Sequence, residues 1–545
     1  MVRSRLKLAG MTLAGFEVFD EPAYFPLNRV TLLFGPNSSG KSALATGLQL
    51  WLQALWPEGA EAPLFGQDSL GQSPAPFWGA SFKEGYSTAP GEMLSRTWRR
   101  KGNGLFADSL ALALHLKRER PRSDVAIENV DWKLDFHLPE GGGNGWANPE
   151  VAFSYLVNGG KAFQCSSDGF LSINTAFFPD VEREAKGVFM TVSEQRPDLA
   201  SFEAGILELR GPLTLALWEY REGLSLEHAR LDDLIEGLEE LSDQQANTLK
   251  QLKRSVLQIW AGLTREFVQV GSSIVAGGRL VPASREVPAP EALCVAVPAD
   301  GESVPLPSLL DGEGELTALQ RLVVSLGGGD SGRTGVLSGR EGELGEEVQR
   351  YLTGYLFRDR GYRLGVRRWS LAYEADGIDR ARSVQRHVDP WIGQAMLFDK
   401  DANAFHFNEV GSGLGYVLPV LVALAECEEL SLVQQPELHL HPALQSELGD
   451  VVLDATRTKR SISIVETHSE HLLLRILRRI RETGAGRAPL TELQVRPEEV
   501  SVLFFDSQGD GRTVVRRLRI DEDGEFLDRW PGGFFAERDK DLFDE

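Results

Sequence analysis

Apolar positions along the chain change period several times, and each change marks a new kind of element. Near the start, Leu6, Leu8, residues 16–19 and the run Val30-Thr-Leu-Leu-Phe34 are β-favourable. Residues 41–56 then repeat at helical spacing, with Leu44, Leu48, Leu52 and Leu55 on one face. Residues 57–104 are rich in Gly, Pro and Ser and read as irregular segments. From about residue 107 to 175, short β-type runs alternate with turn signals such as GGGNG and NGG, which predicts an antiparallel meander. The helical period returns over residues 200–270. Leu231, Leu234, Leu238 and Leu241 form one stripe, and Leu249, Leu252, Val256, Ile259 and Leu263 a second. Together they predict a helical hairpin about residues 243–247. A Pro-, Gly- and acid-rich stretch over residues 271–345 holds a short helix near 316–326, and a mixed α/β block spans about 385–520. No internal repeat stands out.

One segment carries chemistry at once. Gly35-Pro-Asn-Ser-Ser-Gly40-Lys41-Ser42 fits G-x-x-x-x-G-K-[ST], with an apolar strand before it and a helix after it. Glycines let the backbone curl so that the N–H groups of Asn37, Ser38, Ser39 and Gly40 point at phosphate oxygens. The positive end of the following helix adds to this. Lys41 is expected to reach the β- and γ-phosphates and Ser42 to ligate Mg²⁺, so ATP with Mg²⁺ is the expected cofactor pair. The competing reading is a Gly-rich turn and cap.

Three later segments complete a pattern. Asn408-Glu-Val-Gly-Ser-Gly-Leu-Gly opens an apolar helix, a second N-terminus able to face phosphate or else a plain turn before a core helix. Leu430-Ser-Leu-Val-Gln-Gln-Pro-Glu-Leu-His-Leu-His-Pro442 is a short strand ending in a polar cluster. Ser461-Ile-Ser-Ile-Val-Glu-Thr-His-Ser469 is another strand, with Glu466, Thr467 and His468 at its carboxyl end. In open α/β sheets ligand groups gather at the carboxyl ends of strands. Lys41, Gln434, Gln435 and His468 are therefore expected on one edge.

At these residues the chain resembles an ABC-type ATPase head of the SMC and DNA-repair branch. It is more closely similar to bacterial ATPases that end in a segment like Trp530-Pro-Gly-Gly-Phe-Phe535. The resemblance covers roughly residues 1–60 and 395–545. It implies an α/β P-loop NTPase fold: a split ABC-type head with an antiparallel β lobe and a mostly helical insertion. The implied division is 1–180 for the first part of the head, 181–385 for the insertion and 386–545 for the rest. Two heads would close face to face on ATP. Gly411, Gly413 and Gly415 fall in the signature loop, where Gly415 stands in place of the expected serine and Ser412 lies three residues earlier; His468 matches the switch histidine, and Leu440-His441-Pro442 sits where one head touches the other. Family members often stand in antiphage systems, Septu-like ones among them, beside a separate nuclease. The overcoming-lysogenization-defect nucleases are relatives with their own Toprim domain. About 45 residues follow Val500, too few for that fold, so nuclease activity is expected in a partner.

The departures from that pattern are chemical. Walker B strands of this type end in an acid that holds Mg²⁺, followed by a carboxylate that polarises water. Here Gln434 and Gln435 stand there, and Glu437 is the nearest carboxylate. An amide orients water but does not take its proton. The expectation is a catalytic set of Gln435, Glu437 and His468, a metal set of Ser42 and Gln434, and slow hydrolysis with ATP acting as a clamp. A non-hydrolysing ATP-stabilised scaffold and an SMC-like DNA clamp are the alternatives.

Charge narrows the partners. The 545 residues carry 57 Lys and Arg against 79 Asp and Glu, a net charge of −22, so the overall field repels nucleic acid and anionic membrane. DNA contact is left to local arginines: 99–101, 117–122, five between 358 and 368, and Arg475, Arg478, Arg479 and Arg481. Solvated faces and internal pairing are the plainer reading of each patch. Three scattered cysteines give neither a zinc spacing nor a disulfide framework. His439, His441, His468 and His471 lack the acids or thiols that would complete a metal site. No apolar run approaches membrane-spanning length, and a cytoplasmic protein is expected.

Overall fold

In the computed structural model, the described residues are 6–54, 109–118, 129–137, 150–166, 170–178, 182–209, 214–217, 224–227, 242–285, 287–297, 304–305, 318–327, 341–358, 361–370 and 391–531. Three sheets organise them. The one that carries the phosphate loop has six strands. They are β1 (Val30–Phe34), β2 (Arg279–Val281), β3 (Leu430–Gln434), β4 (Ile462–Glu466), β5 (Val500–Ser507) and β6 (Thr513–Leu518). Their spatial order is β2-β3-β4-β1-β5-β6, parallel up to β5, with β6 antiparallel at the edge. Every residue of β1 is buried, as expected of a parallel strand covered on both faces.

Helices cover this sheet. Helix α1 (Ala43–Ala54) leaves the phosphate loop. Helix α2 (Asp243–Gly277) is capped by Ser242, whose hydroxyl accepts from Gln245 while the Gln245 side chain answers the Ser242 amide. Helix α3 (Ser412–Glu426) is buried around most of its circumference, which explains its near-continuous apolar run. Helix α4 (Pro442–Lys459) begins at His441, whose ring Nδ1 accepts from the Ala443 amide at 3.3 Å. Helix α5 (Glu470–Gly484) is capped by Ser469.

The second sheet is the antiparallel lobe. Its meander of Ser109–Arg118, Asn129–His137, Glu150–Val157, Gly160–Cys165 and Leu171–Asn174 follows the turn signals read from the sequence. Leu6–Ala14 and Ala23–Pro26 extend it on one side. One apolar core joins its inner face to α1 and α2, with Trp260 of α2 edge-on to Phe153.

Among its described residues the segment 181–385 is more helix than strand, but it is not helical alone. It contains α2 and shorter helices, yet it also feeds all three sheets. Ala200–Glu203 and Ile206–Leu209 join the antiparallel lobe, β2 joins the nucleotide sheet, and Cys294–Val297 and Arg363–Ser370 build the third sheet on Trp391–Phe398. These strands are two to eight residues long and lie between strong helical stripes, so periodicity over a wide window hides them. The hairpin centre at residues 243–247 is the start of α2, and the leg at residues 231–241 lies outside the described residues.

Candidate functional site

The carboxyl ends of β1, β3 and β4 meet at one edge, and register decides what faces what. Gln434 pairs with Glu466 across β3 and β4, and Glu466 pairs with Leu33 across β4 and β1. The phosphate loop begins two residues later. Ser38 and Gly40 take left-handed backbone at φ 61° and 86°. A Cβ on Gly40 would lie 2.3 Å from Val18, so glycine is required there by space as well as by angle. Asn37 and Ser38 are exposed, Ser39 is buried, and Ser42 is partly buried at the start of the helix.

Lys41 is 5% exposed. Its ammonium donates to the carbonyls of Gly35 at 3.1 Å and Pro36 at 2.8 Å, and stands 3.8 Å from Glu466 Oε1. Burial lowers its pKa, and the Glu466 charge works the other way. Glu466 is raised by burial, held back by Lys41 and by a hydrogen bond from Gln434, and raised again by repulsion from Glu437. Gln434 is committed at both ends of its amide. Its nitrogen donates to Glu466 Oε2 at 3.1 Å, and its oxygen accepts from the Ala283 amide at 3.3 Å.

Glu437 is 9% exposed. Burial raises its pKa, and the His468 amide, which donates to its Oε1 at 2.7 Å, pulls the other way. Its Oε2 is buried without a hydrogen-bond partner, as are Ser39 Oγ and His468 Nε2. Burial, helped by the Lys41 charge, lowers the His468 pKa, so its ring is neutral near pH 7. Gln435 takes φ 45° at the turn, and its backbone N–H donates to the Glu466 backbone carbonyl at 2.6 Å.

The glycine-rich loop sits beside this edge. Gly411 is the exposed N-cap of α3 and Ser412 its first residue. A Cβ on Gly413 would lie 2.7 Å from the His439 carbonyl, and one on Gly415 2.4 Å from Val287. Gly413 thus lets the loop touch the turn after β3, and Gly415 is a close-packing position against residue 287. His439 is exposed and stacks on Tyr416 at 4.2 Å. His441 is exposed and caps α4. Among the described residues no set of three or more His, Cys, Asp or Glu stands ready to hold a metal.

Two residues escaped the sequence reading. Glu466 was visible only as part of a strand end, because its importance comes from a cross-strand partner. Arg285 had no visible signal. Its guanidinium, 4% exposed, donates to the carbonyls of Pro282, Tyr416, Gln434 and Gln435, and burial lowers its pKa to about 10 against the Glu437 charge. It ties the end of β3 to the first turn of α3.

The basic patches sort themselves. Arg475 and Arg479 turn inward to Asp450, Arg478 pairs with Glu482, and Arg481 pairs with Glu525. Arg363, Arg367 and Arg368 lie exposed on a sheet-edge strand. Residues 99–101 and 119–122 lie outside the described residues. No described helix is long and apolar enough to cross a membrane.

Residues 338–475, which hold α3, the Gln434 strand and His468, match the family model described as "AAA domain, putative AbiEii toxin, Type IV TA system". This match covers about a quarter of the chain. The phosphate loop lies outside that match and reaches it through the β1–β4 pairing. Residues 495–544 match a second model, described as "Protein of unknown function (DUF3696)". That stretch includes Trp530, which packs edge-on to Phe34 and Phe504; residues 532–535 lie outside the described residues. No curated protein matches the chain. Among solved structures, the chain is similar to the Smc head domain from Pyrococcus furiosus, bound there to the C-terminal domain of ScpA. The identity is 12%, over 94% of this chain and 96% of that one, at a TM-score of 0.35. It is also similar to the SMC head domain from Thermotoga maritima, at 10% identity over 95% and 100%, with a TM-score of 0.33. Strand order and the phosphate loop carry the fold assignment on their own.

Proposed function

We propose that this chain is an ABC-type ATPase whose heads dimerise on ATP and so gate or scaffold a separate effector, a nuclease, in an antiphage or DNA-processing complex. One observation carries the ATP reading. The phosphate loop converges with three buried, unpartnered polar atoms, Ser39 Oγ, Glu437 Oε2 and His468 Nε2, at one sheet edge. Such atoms cost stability unless a ligand completes them. The donor set fits a nucleotide with Mg²⁺. Loop amides and Lys41 would hold the phosphates, and Ser42 would sit on the metal side. When bound, Mg²⁺ supplies charge neutralisation across the β- and γ-phosphates.

The chain's own groups divide the remaining work. Glu437, whose Oε2 is unpartnered at this edge, is assigned the proton from water, and Gln435 orients rather than deprotonates. His468, neutral near pH 7, donates from Nε2 to a phosphate oxygen. Because the carboxylate has moved from the position held by Gln435 to that of Glu437, turnover is slow and ATP acts chiefly as a clamp. Dimerisation is supported by exposure: Gly411, His441 and Pro442, which a second head would meet, all face outward.

The test is mass in solution. Light scattering with Mg²⁺-ATP should show a dimer for the wild type and a monomer for Lys41→Ala. A mass indifferent to ATP would overturn the head-closure reading. The DNA clamp alternative predicts salt-sensitive DNA binding by the chain alone. The four arginines of α5 are already paired internally, which removes its strongest helix-borne patch.

A further inference from the structure

We propose that Glu466, on β4, is the carboxylate that holds the metal side of the nucleotide, taking the place left by Gln434 on the neighbouring strand. The inference rests on the ATP reading above and deepens it. Four observations carry it. Glu466 stands directly across from Gln434 in parallel register, so the acid has moved sideways by one strand and not along the chain. The Gln434 amide donates to Glu466 Oε2, which fixes the carboxylate's orientation, and the Ala283 amide holds the other end of Gln434. Gln434 is thus a positioning residue. Lys41 Nζ lies 3.8 Å from Glu466 Oε1, so the carboxylate is beside the lysine that precedes Ser42. Finally, Glu437, nine-tenths buried, keeps one oxygen unpartnered and is near enough to Glu466 for the two to repel.

The electrostatics ask for a cation. Two partly buried carboxylates that repel one another disfavour a shared edge unless positive charge lies between them. Lys41 supplies part of it in the free protein, folded down on its own loop carbonyls. Once phosphates draw Lys41 away, Glu466 loses that partner, and a divalent cation bridging to phosphate restores the balance. Mg²⁺ suits such a place, because it is held by one or two carboxylates plus substrate phosphates and keeps several waters. No three-ligand protein cage is then needed, consistent with the described residues holding none.

The experiment is binding of a fluorescent ATP analogue to the full chain, in excess EDTA and in Mn²⁺, with bound Mn²⁺ followed by electron paramagnetic resonance. Wild-type affinity should rise at least tenfold with Mn²⁺. Glu466→Gln, which keeps the shape and the Gln434 contact, should lose most of that rise and its bound Mn²⁺ signal. Its affinity in EDTA should stay within about threefold of wild type. Adding Gln434→Glu to Glu466→Gln returns an acid to the register position on β3 and should restore the Mn²⁺-dependent rise. Retention of the full rise by Glu466→Gln overturns the proposal. So does an equal loss of binding in EDTA and Mn²⁺, which would make Glu466 a support of the loop. A wild-type protein that binds no nucleotide in either condition overturns the ATP reading itself.

Discussion

Two clusters of buried charge in this molecule are finished to different degrees. Between α4 and α5, Asp450 accepts from both Arg475 and Arg479, and Asp454 accepts from Arg350, Tyr355 and Thr458. Both carboxylates are fully buried, and neither leaves an oxygen without a partner. At the ends of β3 and β4, Glu437 and Glu466 are also largely buried, yet Glu437 Oε2, His468 Nε2 and Ser39 Oγ remain open. A saturated network holds parts together. An unsaturated one at a strand edge is prepared for something else to arrive. The same residue types therefore have opposite meanings, and only the count of satisfied atoms tells them apart.

That contrast breaks or sharpens under substitution. The largest effect is expected at the saturated cluster. Asp450→Ala takes the shared buried carboxylate from two arginines, leaving Arg475 only Glu447 and Arg479 only Glu482, and should cost about 3–5 kcal/mol in denaturant unfolding. A loss below about 1 kcal/mol would show that the network contributes little to holding α4 and α5 together. At the open cluster the pattern reverses. Glu437→Gln should lower ATP turnover by about 10²-fold or more in a phosphate-release assay, with the unfolding midpoint unchanged or slightly raised, because a buried charge without full compensation is removed. Equal turnover in the variant would refute a proton-accepting role.

Smaller effects test the edges of the comparison. Glu17, beneath the phosphate loop, is raised by burial to about 7, against a hydrogen bond from Thr46. Its carboxyl ionises at a lower pH unfolded than folded. Stability should therefore fall as pH rises from about 4.5 to 7 and level off above that. Glu17→Gln should equal wild type near pH 4 and be more stable by roughly 1–3 kcal/mol at pH 8, by thermal unfolding at both pH values. A constant difference between the two proteins would refute the linkage. Arg481→Ala, at an exposed pair with Glu525, should change stability by no more than about 0.5 kcal/mol, and a larger loss would mean the C-terminal turn depends on it.

Much of the site could be read along the chain because its signals are local. The phosphate loop, the turn-punctuated meander and the strand ends at Gln434 and His468 are each a few residues long. What escaped reading depends on contacts across space. Glu466 matters through a partner on the next strand. Arg285 matters through four carbonyls, groups every residue owns and no pattern marks. The α5 arginines were partly legible. Arg479 falls among Leu472, Ile476 and Ile480 on the buried side of the helix, which marks it as internal, whereas Arg478 and Arg481 project outward. The short strands within 181–385 were hidden because a strand of three or four residues is outweighed by the helical period around it.

The position of β1 in its sheet also sets a timetable. Val30–Phe34 is wholly buried and is flanked by β4 and β5, which are made from the last third of the chain. A ribosome adding about 5–20 residues per second needs roughly 20–90 s to travel from one to the other. For that interval the nascent phosphate-loop strand has neither neighbour, and its exposed edges invite pairing with other chains. Early fragments should therefore accumulate on holdase chaperones and bind no nucleotide, with ATP capture appearing only after Val500–Ser507 has emerged.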